Sequence, residues 1–439
     1  MTRAAVAGVG RGGTVLPILV VNFVGTLGFS IVLPFLVYLV TRFGGNALIY
    51  GVMGGTYSFF QLIGAPILGR WSDRYGRRRI LLLSQAGTAA SWAVFLVALA
   101  LPVKAMLKVD SALLGAFTIT LPLLVLFFAR ALDGITGGNV SVANAYLADI
   151  TTDAERSANF GRLAVSSNLG FIVGPALAGV LGASAWGEVA PVAGALAISV
   201  FACVLIVTRL RESRPCDRRD IPVTGGIRRS LGQELKDCYA GAGPRTLSLP
   251  DVLRLPTVPL LLALNFLVYL AFNFFYIAFP VYVAHDLHWS LGATGAFFSV
   301  TSLFMVAVQG PVLSRASRIW SARALVLGGS AVLAGSFPFF AARSGALLYA
   351  GAALLALGNG LMWPSLLAIL SRSTSTDVQG AVQGLASSGG AVASIIGLLL
   401  GGLLFGFLGS GVFLLAALVT AISGLLALRI PPAAPVAAD

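Results

Sequence analysis

The sequence predicts an all-α membrane protein with 12 transmembrane helices in two pseudo-symmetric six-helix bundles, and three observations carry that expectation. Hydrophobic residues make up 57% of the 439 positions and charged residues only 10%, where a soluble domain has about 25% charged. Apolar runs of the ~20 residues needed to cross a bilayer occur twelve times. The second six runs also repeat features of the first. Fifty-two glycines suit closely packed membrane helices, where small residues let backbones approach.

The runs fall near 14–40, 47–68, 80–102, 119–147, 161–182 and 189–208, then 256–283, 292–313, 324–342, 345–370, 381–407 and 411–429. Between the sixth and seventh lies one long polar segment with ten Lys or Arg and six Asp or Glu. The organisation expected is therefore an N-terminal six-helix bundle (1–208), a cytoplasmic linker (209–255) with a short amphipathic helix near 230–239, and a C-terminal six-helix bundle (256–439). With the N-terminus inside, cytoplasmic segments hold 24 of the 29 basic residues, the asymmetry that sets orientation. The first apolar run, after Arg3 and Arg11, is too long for a signal-peptide core and is expected to stay. Cys203, Cys216 and Cys238 are too few and too scattered for a disulfide framework or a metal site. The net charge of +13 sits in loops between spans, not on a solvated basic face, which argues against nucleic acid.

The halves align in two registers. Pro66-Ile67-Leu68-Gly69-Arg70 matches Pro311-Val312-Leu313-Ser314-Arg315 at an offset of 245, and Gly161, Gly174 and Gly179 fall on Gly384, Gly397 and Gly402 at 223. The difference of 22 residues places an insertion in the first half, and the polar stretch 103–118, with Lys104, Lys108 and Asp110, is its natural site. A short amphipathic helix is expected there on the outer side. Asp73 falls on Arg318, Arg130 on Ala353 and Asp133 on Ala356. Only the first half keeps an intramembrane ion pair, so energy coupling is expected there.

Three stretches carry candidate chemistry. In 69–79, Gly69-Arg70-Trp71-Ser72-Asp73-Arg74-Tyr75-Gly76-Arg77-Arg78-Arg79 puts five arginines and an aspartate between almost uncharged spans, which reads as a tight cytoplasmic turn. In span 4, Arg130 and Asp133 stand three positions apart, share a helical face and can pair; charges this costly in a bilayer usually face the bundle interior. Gly134, Gly137, Ser141 and Asn144 extend that face toward Asp149. In span 5, Gly170, Gly174 and Gly179 invite close helix contact, and Pro175 removes a backbone hydrogen bond and permits a bend.

The first stretch resembles the loop signature of the major facilitator superfamily, the second the span-4 motif of its proton-coupled members, and the third the antiporter motif of its drug:proton exporters. Together with the repeat, the resemblance covers nearly the whole chain and points to the twelve-span drug:proton antiporters, tetracycline-exporter-like branch. Gly358-Asn359-Gly360 and Gln379-Gly380-Ala381-Val382-Gln383-Gly384 add to it. One position departs: where that branch carries a span-1 aspartate, nine residues before the proline matched by Pro34, this chain has Gly25, and the span holds only Asn22. Tetracycline–metal chelates and the usual proton route are therefore not implied. The resemblance does imply that Arg130 acts on a nearby carboxylate, here Asp133, in proton coupling. It also implies a cytoplasmic gate of Gly69, Asp73, Arg74, Gly76, Arg77, Arg78 and Asp149. Asp73 would face the positive N-terminus of span 11 at 378–382, and Arg77 or Arg74 would pair with Asp149 in surface contacts of ~0.2–1 kcal/mol each. This latch would favour the outward-open state, and Asp73→Asn would impair transport while leaving insertion intact.

A substrate pocket is expected near the midplane between the halves, walled by the aromatic face of span 7. Its candidates are Asn22, Gln61, Asn265, Tyr269, Asn273, Tyr276, Gln309, Asn359 and Trp363, with Phe272, Phe275 and Phe279 alongside. His285, Asp286 and His288 read as solvated loop residues. The function expected is proton-coupled efflux of small amphiphilic or lipophilic compounds by alternating access. No enzyme signature, cofactor or metal is implied beyond the proton gradient. The partners are the substrate, protons and lipid, the chain is expected to be a monomer, and its arginine-rich, lysine-poor composition suggests a bacterial inner membrane with both termini cytoplasmic. The alternatives are a metabolite or sugar facilitator or symporter, against which Gly174-Pro175 and the apolar span 7 argue, and a non-transporting receptor, against which the loop signature and Arg130 argue.

Overall fold

The computed structural model describes residues 15–32, 35–137, 139–151, 155–213, 252–373 and 376–431, with the backbone alone at some of them, Asp73 and 376–381 included. The first half holds α1 (Leu16–Ser30), α2 (Leu36–Arg42), α3 (Ala47–Tyr75), α4 (Arg77–Ala100), strands β1 (Ala105–Ser111) and β2 (Gly115–Thr120), α5 (Leu121–Thr136), α6 (Asn139–Ile150), α7 (Arg156–Gly182) and α8 (Val189–Arg209). The second holds α9 (Val258–His285), α10 (Leu291–Ala307), a π-helical turn Val308–Val312, α11 (Leu313–Ile319), α12 (Ala322–Ser336), a 3-10 turn Phe337–Ala341, α13 (Gly345–Arg372), α14 (Thr376–Leu408) and α15 (Gly411–Ala427).

Among the described residues nine helical stretches are long and apolar enough to cross a membrane, and shorter apolar helices lie at Leu16–Gly28 and Gly411–Ala427. The twelfth is α3, 29 residues long, whose apolar run is diluted by Tyr50, Thr56, Tyr57, Ser58 and Gln61. The expected spans thus each have a helix, but four are interrupted, span 9 by the 3-10 turn that ends it. Span 1 divides into α1 and α2, span 4 stops at Thr136 and restarts at Asn139 past Gly137, and span 8 passes through the π turn that contains Pro311. A π turn is a frequent mark of a functional bend.

The insertion is at the expected place but is not a helix. Residues 105–120 form an antiparallel hairpin that pairs Leu107 with Ile119, Val109 with Phe117 and Ser111 with Gly115. The reason lies in the alternation: Leu107, Val109, Phe117 and Ile119 share one face while Lys108, Asp110, Ala116 and Thr118 share the other, a period of two that a helix would scatter. Gly115 supplies the φ of 73° that the turn needs. The outward edge of β2 is taken by the α2–α3 corner, with Thr118 N donating to Gly44 O (2.8 Å) and Asn46 Nδ2 to Leu114 O (2.9 Å), whereas β1 is exposed along most of its length. The amphipathic helix expected near 230–239 lies outside the described residues.

Three apolar clusters hold the molecule together. One belongs to the second half and is built around packed aromatics, Phe275, Phe279, Phe297, Phe340 and Phe413. A second, around Ile18, Leu81, Leu147 and Leu210, lies at the end of the first half that carries the 75–77 turn, here the arginine end. The third lies at the opposite, hairpin end and joins the halves, bringing Ile277 and Val281 of α9 onto Phe35, Tyr50 and Trp92.

The repeat is visible in how the halves cross. On α7, a Cβ added at Gly179 would stand 2.6 Å from Gly295 Cα on α10; on α14, one at Gly402 would stand 3.2 Å from Gly51 Cα on α3. Gly179 and Gly402 are the pair related by the 223-residue offset, and Gly51 and Gly295 lie 244 apart, one residue from the other register. Two equivalent glycine crossings therefore close the hairpin end about a pseudo-twofold axis.

Candidate functional site

The charged centre of the first half is assembled by three helices. Arg130 and Asp133 on α5 are 1% and 3% exposed, with Nη1 of the arginine 3.5 Å from Oδ2 of the aspartate. The guanidinium also lies over the Tyr57 ring of α3, 4.6 Å from its centre. From α4, Thr88 lies beside Asp133, while Ser91 donates to Ala129 O (2.7 Å) and Ser84 to Thr136 O (2.5 Å). A hydroxyl stripe on α4 therefore fixes the turns on either side of the pair. Gly134 lets α3 approach: a Cβ there would meet Tyr57 O at 2.5 Å and Phe60 Cβ at 2.8 Å. Each charge would otherwise cost ~2.5–3.5 kcal/mol at mid-bilayer, so pairing with each other and with a ring face is what makes the site tolerable. The polar stripe expected to extend toward Asp149 is interrupted by the gap between α5 and α6, and Ser141 is exposed and bonded to Ala65 O.

At the arginine end the 69–79 stretch is mostly helix rather than turn. The third helix runs through Tyr75, Gly76 alone turns with φ 96°, and α4 begins at Arg77. Arg77 Nε is 3.1 Å from Asp149 Oδ2, and its Nη1 donates to Ser72 Oγ at 2.6 Å. The two side chains are 10% and 4% exposed, so this pair is buried and not the surface contact expected. Arg78 donates to the Ile206 and Val207 carbonyls that end α8, and Arg74 lies over Tyr75. Gly69 keeps α3 near Ser141. The side chain of Asp73 and those at 378–381 lie outside what the structure describes, and Val382, the last of the expected partners, is buried.

Sequence reasoning missed Glu212 and Ser213. The Glu212 carboxylate accepts from the amides of Arg77 (2.7 Å) and Arg78 (3.2 Å), capping α4 across 135 residues, and Ser213 donates to Asp149 Oδ2 at 3.0 Å. A Cβ on Gly76 would collide with that carboxylate. The segment after span 6 is thus built into the gate, where the sequence offered only an acid and a hydroxyl in a polar tract.

The span-5 glycines are seats for neighbours. Positions 170 and 174 press on α1 at Thr26 and Ser30, whose hydroxyl donates to Gly170 O at 2.8 Å; Pro175 lies inside the helix between these seats and the crossing at Gly179. Beyond Gly179 the contact reaches Ser299, which donates to Ala176 O. One and two turns further toward the arginine end, the same faces carry Leu169 and Val165 on α7 and Leu303 and Val306 on α10, exposed by 41%, 57%, 66% and 41%. On α14, Gly384 and Ser388 continue the face of Leu398 and are exposed too. The helices diverge, and a cleft between the halves opens at the arginine end.

The residues expected to bind substrate divide into two groups. Asn22 donates to Leu163 O, Ser166 Oγ and Ser167 Oγ, tying α1 to α7; Asn265 is buried and donates to Ala386 O; Gln61 donates to Tyr57 OH and Gly137 O; Asn273 donates to Tyr269 O and Ser394 Oγ. These amides are engaged in helix packing. Tyr269 and Trp363 meet edge to face at 4.9 Å, beside Gly390, where a Cβ would touch the Tyr269 ring at 2.7 Å. Tyr276 packs at a tilt against Phe272, ring centres 4.8 Å apart, and Gln309 and Asn359 are half-buried, the former in the π turn. Phe275 and Phe279 belong to the apolar core.

Two six-helix halves related by a pseudo-twofold axis, joined at one end and parted at the other around buried charges and half-buried rings, make the architecture of a membrane transporter. The sequence model of the Major Facilitator Superfamily matches residues 18–264 and 261–438, and the chain belongs to that family. The class B tetracycline resistance protein of Escherichia coli is 28% identical over 390 residues, 87% of this chain and 86% of that protein. The class E protein from the same organism is 35% identical over 172 residues, 38% of this chain and 37% of that one. The crystal structure of the human organic anion transporter MFSD10 (TETRAN) superposes with a TM-score of 0.65 at 22% identity, covering 96% of this chain and 100% of that one. The nucleoside transporter NupG superposes at 0.61 with 12% identity, covering 94% and 98%. The chain is an integral membrane protein of a transporter family rather than an enzyme family.

Proposed function

We propose that this transporter exports small amphiphilic or lipophilic compounds in exchange for protons. The observation that carries the reading is the Arg130–Asp133 pair, enclosed between α3, α4 and α5 at the middle of a span. A proton on Asp133 removes the negative half of the pair and leaves the guanidinium with the Tyr57 ring, a cation–π contact of ~0.5–2 kcal/mol. The change in how tightly α5 is held to α3 and α4 is the coupling step. With Gly25 in span 1, Asp133 is the group assigned to carry the proton. Half-buried Tyr269, Phe272, Tyr276 and Trp363 offer ring faces to an apolar cargo, and the similarity to tetracycline resistance proteins supports a drug-like one.

The excess of basic residues puts the arginine end, both termini and the 209–255 linker on the cytoplasmic side. In that orientation the cleft faces inward, ready to load. The setting proposed is a bacterial inner membrane, with the chain working as a monomer. Reconstituted in liposomes, the wild-type chain is expected to move a lipophilic cation or dye faster when a pH gradient is imposed, and Asp133→Asn to lose at least nine-tenths of that gradient-driven flux. Gradient-driven flux unaltered in Asp133→Asn removes the residue from the coupling; flux indifferent to the gradient in the wild type sinks the antiport reading.

A further inference from the structure

At the hairpin end the glycine crossings are accompanied by directed polar contacts: Ser299 of α10 donates to Ala176 O of α7, and α2 supplies a denser set among the described residues. The Tyr38 hydroxyl lies 2.5 Å from Thr294 Oγ1, 3.1 Å from Trp289 O and 3.4 Å from Ser290 O. One turn on, Thr41 Oγ1 is 3.1 Å from His285 Nε2. These contacts join the first half to the end of α9 and the first turn of α10. Thr294 is fully buried, whereas Thr41 and His285 are exposed, so Tyr38 holds the inner position. Behind it, α2 is anchored within its own half: Arg42 meets Glu188 at 2.8 Å, Thr120 donates to Phe43 O at 2.8 Å, and β2 holds Gly44 and Asn46.

We propose that Tyr38 is the latch of the outer gate, holding α2 on the first turn of α10 in the inward-facing state and releasing it when the cleft opens at the hairpin end. The assignment rests on the alternating-access reading given above. Glycine contacts are close but undirected, and in a bilayer apolar surfaces gain little from meeting one another rather than lipid. A hydroxyl held between a buried threonine and two carbonyls is directional. It is also exchangeable: once the gate parts, water can satisfy the same groups, so the net worth of the closed arrangement is that of ordinary hydrogen bonds. The helix that carries Tyr38 is seven residues long and is braced to its own corner, whereas α1 is seated on Gly170 and Gly174.

The test is a distance measurement on the full chain in lipid nanodiscs. The three native cysteines become serine, and spin labels are placed at Ala185→Cys and Ser344→Cys, exposed positions on hairpin-end loops of the two halves. Tyr38→Phe is expected to raise the ratio of separated to joined molecules about fivefold (about 1 kcal/mol at 1.4 kcal/mol per tenfold). Thr294→Val, which removes one of three partners, should raise it less, and the double variant should go no further than Tyr38→Phe, the signature of a shared contact. If Tyr38→Phe is not recovered folded, Thr294→Val carries the test. A distribution that stays put in every recovered variant overturns the latch, as does full additivity of the two substitutions. Gradient-driven flux is recorded on the same proteins: a distribution that shifts while no variant or parent transports keeps the latch and sinks the exporter reading, whereas normal flux with an unmoved distribution sinks the latch alone.

Discussion

The Asp149 carboxylate is 4% exposed and is met by Arg77 from α4 and by Ser213 from the start of the linker. Removing one member of a buried pair leaves an uncompensated charge, typically a loss of ~3–5 kcal/mol. Arg77→Ala is therefore expected to lower the melting temperature in detergent well below that of the wild type, with Asp149→Asn milder because a neutral amide still accepts from Arg77. Equal melting of all three proteins would show that the pair contributes nothing. The pairing itself was legible, since an arginine just past a helix turn and an acid at the end of span 4 lie at the same membrane face. Its depth was not, because the Glu212 and Ser213 that close over it come from a segment with linker composition, and no local pattern marks a cap that reaches back 135 residues. The helix partners of the candidate substrate amides were not legible for a related reason. Asparagine in an apolar helix announces a polar partner but does not say whether that partner is cargo or a neighbouring carbonyl, and for Asn22 and Asn265 it is a neighbouring helix.

Among elements, α7 shows how small residues divide their tasks. Positions 170 and 174 seat α1, whereas 179 touches the other half, so substitutions along one helix should have different outcomes. Gly179→Val forces the α7–α10 crossing apart, an overpacking cost of ~1–3 kcal/mol, and is expected to reduce transport at least tenfold while the protein still inserts. Gly161→Val, where nothing lies within 4 Å of the added carbon, should transport normally. Comparable flux from the two variants would refute the assignment of Gly179 to the seam. Element identity was readable wherever apolar runs were long, and the repeat located the insertion correctly. The shape of the insertion was misread because a stretch was assigned by its charges rather than by its period of two. The π turn in span 8 and the break in span 4 left only Gly310-Pro311 and Gly137-Gly138 as signals, which Pro66 inside the continuous α3 shows to be ambiguous.

For the whole molecule, the two glycine crossings close one end and leave the other parted, which fixes where solvent can reach. Leu303→Cys, on the diverging face of α10, is expected to react rapidly with a membrane-impermeant maleimide applied from the side of the vesicle that carries the arginine end and at least tenfold more slowly from the other. Equal labelling from both sides would contradict the one-ended cleft. The repeat is unequal in its interior: the first half buries the charges and the second a dense aromatic core, so one duplicated frame encloses two kinds of core. That division was legible from Arg130 and Asp133 falling on Ala353 and Ala356. The direction of opening was not, because both conformations use the same sequence and differ only in which end of each helix is in contact.

The hairpin gives this molecule an external handle. Its β2 edge is committed to the α2–α3 corner, but β1 stands exposed, with backbone groups of the kind that accept an added strand. An antibody fragment or designed binder that extends the sheet from β1 would grip, through two strands and Gly44, the same corner that positions Tyr38. Such reagents should sort into those that prefer the closed and those that prefer the parted gate, and the first kind would arrest transport from the hairpin side without entering the cargo pathway.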